Sequence, residues 1–132
     1  MRLLHRLLLS LWLVPASVAA TAQDAAPPDL SNQWRIQVSE SATSDGELHF
    51  LISPEGGMPL EVAVAIKRGR GENGIAKDIR DRFRQALDAR AFHVEVEDGE
   101  DVLVQTRGKA PRFELRLLES TVGSTRVDLV KE

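Results

Sequence analysis

Residues 60–87 read LEVAVAIKRGRGENGIAKDIRDRFRQAL, and the change of period inside this stretch decides the fold. From Leu60 to Ile66 the large aliphatic side chains Leu60, Val62, Val64 and Ile66 recur at every second position, as a strand requires. The intervening Ala63 and Ala65 are apolar too, so both faces read as covered and this strand as the most central of its set. Beyond the glycines the spacing lengthens. Ile75, Ala76, Ile79, Phe83, Ala86 and Leu87 fall three and four residues apart, the stripe of an amphipathic helix. Asn73 suits the N-cap, because its side-chain oxygen can accept from first-turn amides, and the helix is expected to end near Arg90. Asp78–Arg82 and Arg84–Asp88 are spaced for i,i+4 ion pairs on the wet side.

Outward from this stretch, period two holds on both sides. Upstream, Trp34, Ile36 and Val38 alternate with polar residues, and Leu48, Phe50 and Ile52 do the same after the turn at Asp45-Gly46. Downstream, Phe92, Val94 and Val96 alternate with His93, Glu95 and Glu97, and Asp98-Gly99 is a hairpin signal answered by Val102 and Val104. Two further strands run through Phe113, Leu115 and Leu117, and through Val127 and Leu129. The order is βββαββββ. One helix cannot cover both faces of a sheet, so the expectation is an α+β domain with a single antiparallel-dominated sheet of about six to seven strands and the helix on one face. A mixed sheet follows if the strands flanking the helix lie parallel.

The first 22 residues have the build of a cleavable signal peptide: Arg2, His5 and Arg6, then the apolar run Leu7–Val14, then small residues. That run is far shorter than the ~20 residues a spanning helix needs, so the mature form is read without a membrane span. Ala20 and Ala22 place cleavage before Gln23, and the Ala-x-Ala style points to a bacterial exporter, with the periplasm or extracellular medium as the address. Residues 23–33 read as a flexible tether and 34–132 as a single globular domain.

Fifteen basic and twenty acidic residues follow position 22, a formal charge of −5 that disfavours general nucleic-acid binding. The charges are uneven: residues 67–90 hold eight bases and four acids, and residues 95–101 hold five acids and no base. The absence of cysteine removes thiol nucleophiles, thiolate metal sites and disulfides.

Gly69-x-Gly71-x-x-Gly74 resembles a dinucleotide fingerprint in spacing alone. Lys67 and Arg68 intrude where that fold wants a tight turn, and one helix cannot flank both faces of the sheet, so it reads as a glycine-rich loop turning strand into helix. His49, His93 and the acids around Asp98 lack the spacing of a known metal site, and the serines lack a nucleophile elbow; no catalytic residue, metal or cofactor is assigned. The candidate site is basic: Lys67, Arg68 and Arg70 before the helix, continued by Lys77 and Arg80, where the helix dipole adds to attraction for anions. The function expected is that of an exported, non-catalytic domain binding a protein or envelope component, with an acidic partner favoured. The alternative is a small-anion- or metal-binding protein with hydrolytic activity.

Mass spectrometry of the exported protein is expected to find Gln23 at the N-terminus. A secreted form retaining Leu7–Val14 would overturn the leader reading.

Overall fold

The structure, a computed structural model, describes residues 26–132; the expected leader and its cleavage point before Gln23 lie outside them. Seven strands and one helix follow in the order β1 (Gln33–Ser39), β2 (Gly46–Pro54), β3 (Leu60–Ile66), α1 (Glu72–Ala86), β4 (Phe92–Glu97), β5 (Asp101–Thr106), β6 (Phe113–Ser120) and β7 (Arg126–Lys131). The α+β class and the βββαββββ order are those the periodicities predict.

The strands divide between two antiparallel sheets, β4-β5-β1-β7 and β3-β2-β6, where a single sheet was expected. Area explains the division. A helix ~10 Å across covers about two strands spaced ~4.8 Å apart, so one helix on a seven-stranded sheet would leave most of its apolar face in water. Two sheets turn their apolar faces toward each other instead. Ile36, Leu48, Phe50, Ile52, Val62, Val102, Val104 and Phe113 are wholly buried between them. Trp34 joins this core, its indole N–H donating to the Phe113 carbonyl at 3.0 Å.

The helix packs against both sheets, touching β3 of one and β1, β4 and β5 of the other. Its apolar stripe Ile75, Ala76, Ile79 and Phe83 is buried as the spacing predicts. Phe83 meets Phe50 edge to face, with ring centroids 5.1 Å apart. The helix begins two residues earlier than expected, with Gly71 rather than Asn73 at the N-cap and no side-chain cap, and Asn73 lies inside the first turn with its side chain against Gly99. It ends at Ala86 rather than near Arg90. Leu87 turns extended, and the Asp88 carbonyl collects the amides of Ala91 and Phe92 while its carboxylate takes that of Arg90.

Neither expected i,i+4 pair forms. The Arg82 Nε donates to the Ala63 carbonyl at 3.1 Å and the Arg84 Nε to the Val94 carbonyl at 2.8 Å, so these arginines leave the helix in opposite directions and cap the edges of β3 and β4. An edge carbonyl left without a partner costs more than an exposed carboxylate, which water solvates and whose pairing contributes only ~0–1 kcal/mol. The strand read as most central, β3, is therefore an edge strand; its small Ala63 and Ala65 lie on the outer face, and β2 is the central strand of that sheet.

At the β4–β5 turn both Asp98 (φ 50°) and Gly99 (φ 85°) are left-handed, the conformation their dipeptide favours. Within the segment read as a tether, Ser31 is buried and bridges Phe113 in both directions, and Asp29 pairs with Lys131. No helix among the described residues is long and apolar enough to cross a membrane.

Phe83→Ala is expected to cost ~3–5 kcal/mol in urea denaturation, because the residue is wholly buried against Phe50. Arg84→Ala, on the surface next to it, should cost only the net value of a hydrogen bond, ~0.5–1.5 kcal/mol. Equal losses would refute this assignment of the helix faces.

Candidate functional site

The loop from Lys67 to Gly71 is held in place by its own main chain. Gly69, at φ 84°, donates to the Ala42 carbonyl, Ala42 donates back to the Arg70 carbonyl, and the Arg68 amide reaches Asp45. Only a residue free to adopt a left-handed conformation fits Gly69 without strain. The loop presents Arg70 to the first turn of α1, where its side chain lies across Gly74 and forms two 3.0 Å hydrogen bonds with the Asp78 carboxylate. That carboxylate pushes the Arg70 guanidinium further toward its charged form.

The five predicted site cations are thus not one free patch. Arg70 is paired with Asp78, and Arg80 with Asp81 at 2.9 Å. At ~100° per residue, Arg80 lies ~200° around the helix from Asp78, on the opposite flank from Arg70. Lys67, Arg68 and Lys77 form no ion pair among the described residues. The acid at Glu72 turns away from this surface and accepts from the Glu40 amide.

Between α1 and β3 runs an open groove of about 400 Å³, walled by Val64 and Ala65 on the strand, by Asp78, Asp81 and Arg82 on the helix, and by Lys67 and Arg70 at its head. Its strand wall is a free sheet edge. In an antiparallel ladder the main-chain N–H and C=O of one residue point to the same side. The Ala63 carbonyl faces Arg82, and the Glu47 carbonyl, opposite Ala65, is turned toward Thr121 on the far side of β2. Glu61, Ala63 and Ala65 therefore direct their main-chain groups off the edge, toward the groove. A second hollow of about 260 Å³ opens on the other flank of α1, beside the edge of β4.

The outer faces of the two sheets carry the remaining charge networks. On the four-stranded sheet, Arg35 binds Glu97 and Asp101 at 3.0 Å each and also Glu132, which draws the Glu132 carboxyl below its ordinary value. Sequence reading placed His93, Glu95 and Glu97 on one face, as they are, but missed Arg35, because the strand that carries it is remote in sequence and lies beside the β4–β5 hairpin only through its pairing with β5. On the three-stranded sheet, His49 sits between two acids, Nε2 at 2.8 Å from Glu47 and Nδ1 at 3.1 Å from Glu61. No group of three or more histidine, aspartate or glutamate side chains among the described residues is placed to share a metal ion.

The chain matches no known protein family and no curated protein sequence.

The carboxylate of Glu61, followed by that of Glu47, raises the affinity of His49 for its proton above the ordinary imidazole value. A raised folded-state value means that the imidazolium stabilises the fold below ~6.5, and that this contribution disappears as pH rises through the folded value. NMR titration should place the His49 midpoint above ~6.5, and the unfolding midpoint should fall across the same window in the wild type but not in His49→Gln. A midpoint at or below the ordinary value would refute the double pairing.

Proposed function

We propose that this protein is an exported, non-catalytic binding domain that takes an extended, acidic segment of an envelope or secreted protein as an added strand along β3. Residues 1–22 support export through their charged, apolar and small-residue regions. The observation that carries the binding mode is the free edge of β3 beside an open groove, where Ala63 and Ala65 offer main-chain groups and small side chains. Strand addition needs an unpaired edge and room beside it. Lys67 and Arg70 at the groove head favour acidic side chains on the incoming segment, in a domain whose overall charge would otherwise repel them. Arg82 covers the Ala63 carbonyl in the unbound protein and has to swing aside, which discourages pairing with arbitrary strands.

Two variants test separate parts of this reading. Ala65→Pro removes an amide that points away from β2, so the ladder with β2 keeps its bonds and the unfolding midpoint should move little. Capture of the partner from envelope extracts should nevertheless be lost, because the added strand loses its donor. Lys67→Glu with Arg68→Glu should weaken capture, and raised salt should mimic it. Undiminished capture by Ala65→Pro would overturn strand addition. Loss of capture only when Glu95, Glu97 and Glu100 are changed to lysine would move the site to the acidic hairpin.

A further inference from the structure

The hollow on the other flank of α1 has a composition the β3 groove lacks. Its floor is apolar, made by Leu87, Phe92 and Val94, and two arginines stand over it, Arg84 from the helix and Arg107 from the loop after β5. Neither guanidinium pairs with a carboxylate among the described residues. Each is held by a strand carbonyl instead: Arg84 Nε by Val94 at 2.8 Å, and Arg107 Nε by Phe92 at 3.2 Å. Arg107 is fixed a second time. One of its terminal nitrogens lies 2.9 Å from His93 Nδ1, and His93 Nε2 lies 3.1 Å from Glu95. A guanidinium can only donate, so Nδ1 accepts, Nε2 bears the hydrogen, and Glu95 orients the ring that orients the arginine.

A further donor comes from the edge of β4. The amide of Arg107 bonds the Ala91 carbonyl, so the odd-numbered residues of this strand make the ladder with β5 and the even-numbered ones point outward. The Val94 N–H therefore faces the side on which its carbonyl meets Arg84. Two guanidiniums and one main-chain amide converge over an apolar floor, in a domain with more acids than bases.

We infer that this hollow binds a small carboxylate with an apolar tail. The charge of the two arginines calls for an anion, and their planar forks match a carboxylate. An inorganic anion would leave the exposed part of Phe92, and the edges of Leu87 and Val94 that reach the hollow, uncovered, so the ligand carries its own apolar group. At about 260 Å³ the space is below the ~300–1,000 Å³ of pockets for drug-sized molecules, which limits the ligand to a short acid or a single terminal residue. A free organic acid and the C-terminal residue of a peptide share this chemistry. The site lies across the helix from the β3 groove and does not depend on what binds there.

Titration of the purified protein with hexanoate, followed by calorimetry and by the amide resonance of Val94, tests the assignment. Hexanoate should bind saturably and shift the Val94 resonance, whereas hexylamine, acetate and inorganic phosphate should bind at least about tenfold more weakly. Arg84→Gln and Arg107→Gln should each weaken hexanoate by about tenfold or more, and Lys67→Glu should leave it unchanged. Arg107 lies in a loop, so its variant decides the matter if Arg84→Gln, which also uncaps β4, disturbs the fold. An acetylated tripeptide ending in a free valine carboxylate, compared with its amide, separates the sources. Tighter binding of the peptide acid than of hexanoate assigns a chain terminus, and the reverse assigns a free acid. Absence of saturable binding by both carboxylates, equal binding of hexylamine or of the peptide amide, or an Arg107→Gln variant that binds like the wild type would overturn the inference.

Discussion

Two sheets that face each other present four open edges, and the side where β3 and β4 come to an end is closed by a helix rather than by strand pairing. A helix cannot supply the ladder of hydrogen bonds that a strand edge requires, since its own main-chain groups are already used along its length. In this protein the deficit is met by side chains. Phe83 fills the core from the inner face of α1, and the residues on either side of it, Arg82 and Arg84, reach outward to one carbonyl on each sheet. Three consecutive residues thus join the two sheets to the helix.

The same arrangement determines where ligands can approach. Arginine side chains cap single carbonyls and leave space between helix and strand, which paired strands would have filled. The two hollows flanking α1 are that space. They differ in polarity because Asp78 and Asp81 on the helix line the hollow beside β3, whereas Leu87, just past the helix end, lines the one beside β4. One flank becomes a mixed-charge groove along a free edge, and the other an apolar hollow under two guanidiniums that pair with no carboxylate among the described residues.

Away from the helix, the outer sheet faces balance their charge within themselves. Arg35 gathers three carboxylates that would otherwise repel one another, and His49 stands between two more. Glu97, Glu47 and Glu61 are exposed, so water screens their share of these pairs, which depends on pH and salt, whereas Arg35 and Asp101 are largely covered. The helix flanks differ in that Lys67, Arg84 and Arg107 line concave space and form no ion pair among the described residues.

Local pattern was enough for the elements themselves. Alternation placed all seven strands, Asp98-Gly99 marked its hairpin, and the stripe from Ile75 to Phe83 assigned the buried face of α1. Each of these signals depends on neighbours a few residues apart, and the sequence by itself contains them. Pairing between distant strands was not legible. The doubly apolar β3 looked central, but alanine is small enough to stand on an exposed face, so an edge position carries no penalty that its composition would reveal. Residues 67–80 looked like one basic patch because a sequence shows proximity along the chain, whereas the helix distributes them around its axis and pairs Arg70 and Arg80 with acids. The meeting of Arg84 with Arg107 had no signal at all. It depends on the packing of α1 against β4 and on the register of β4 with β5, which only the tertiary structure decides, because burial of the whole core selects them together.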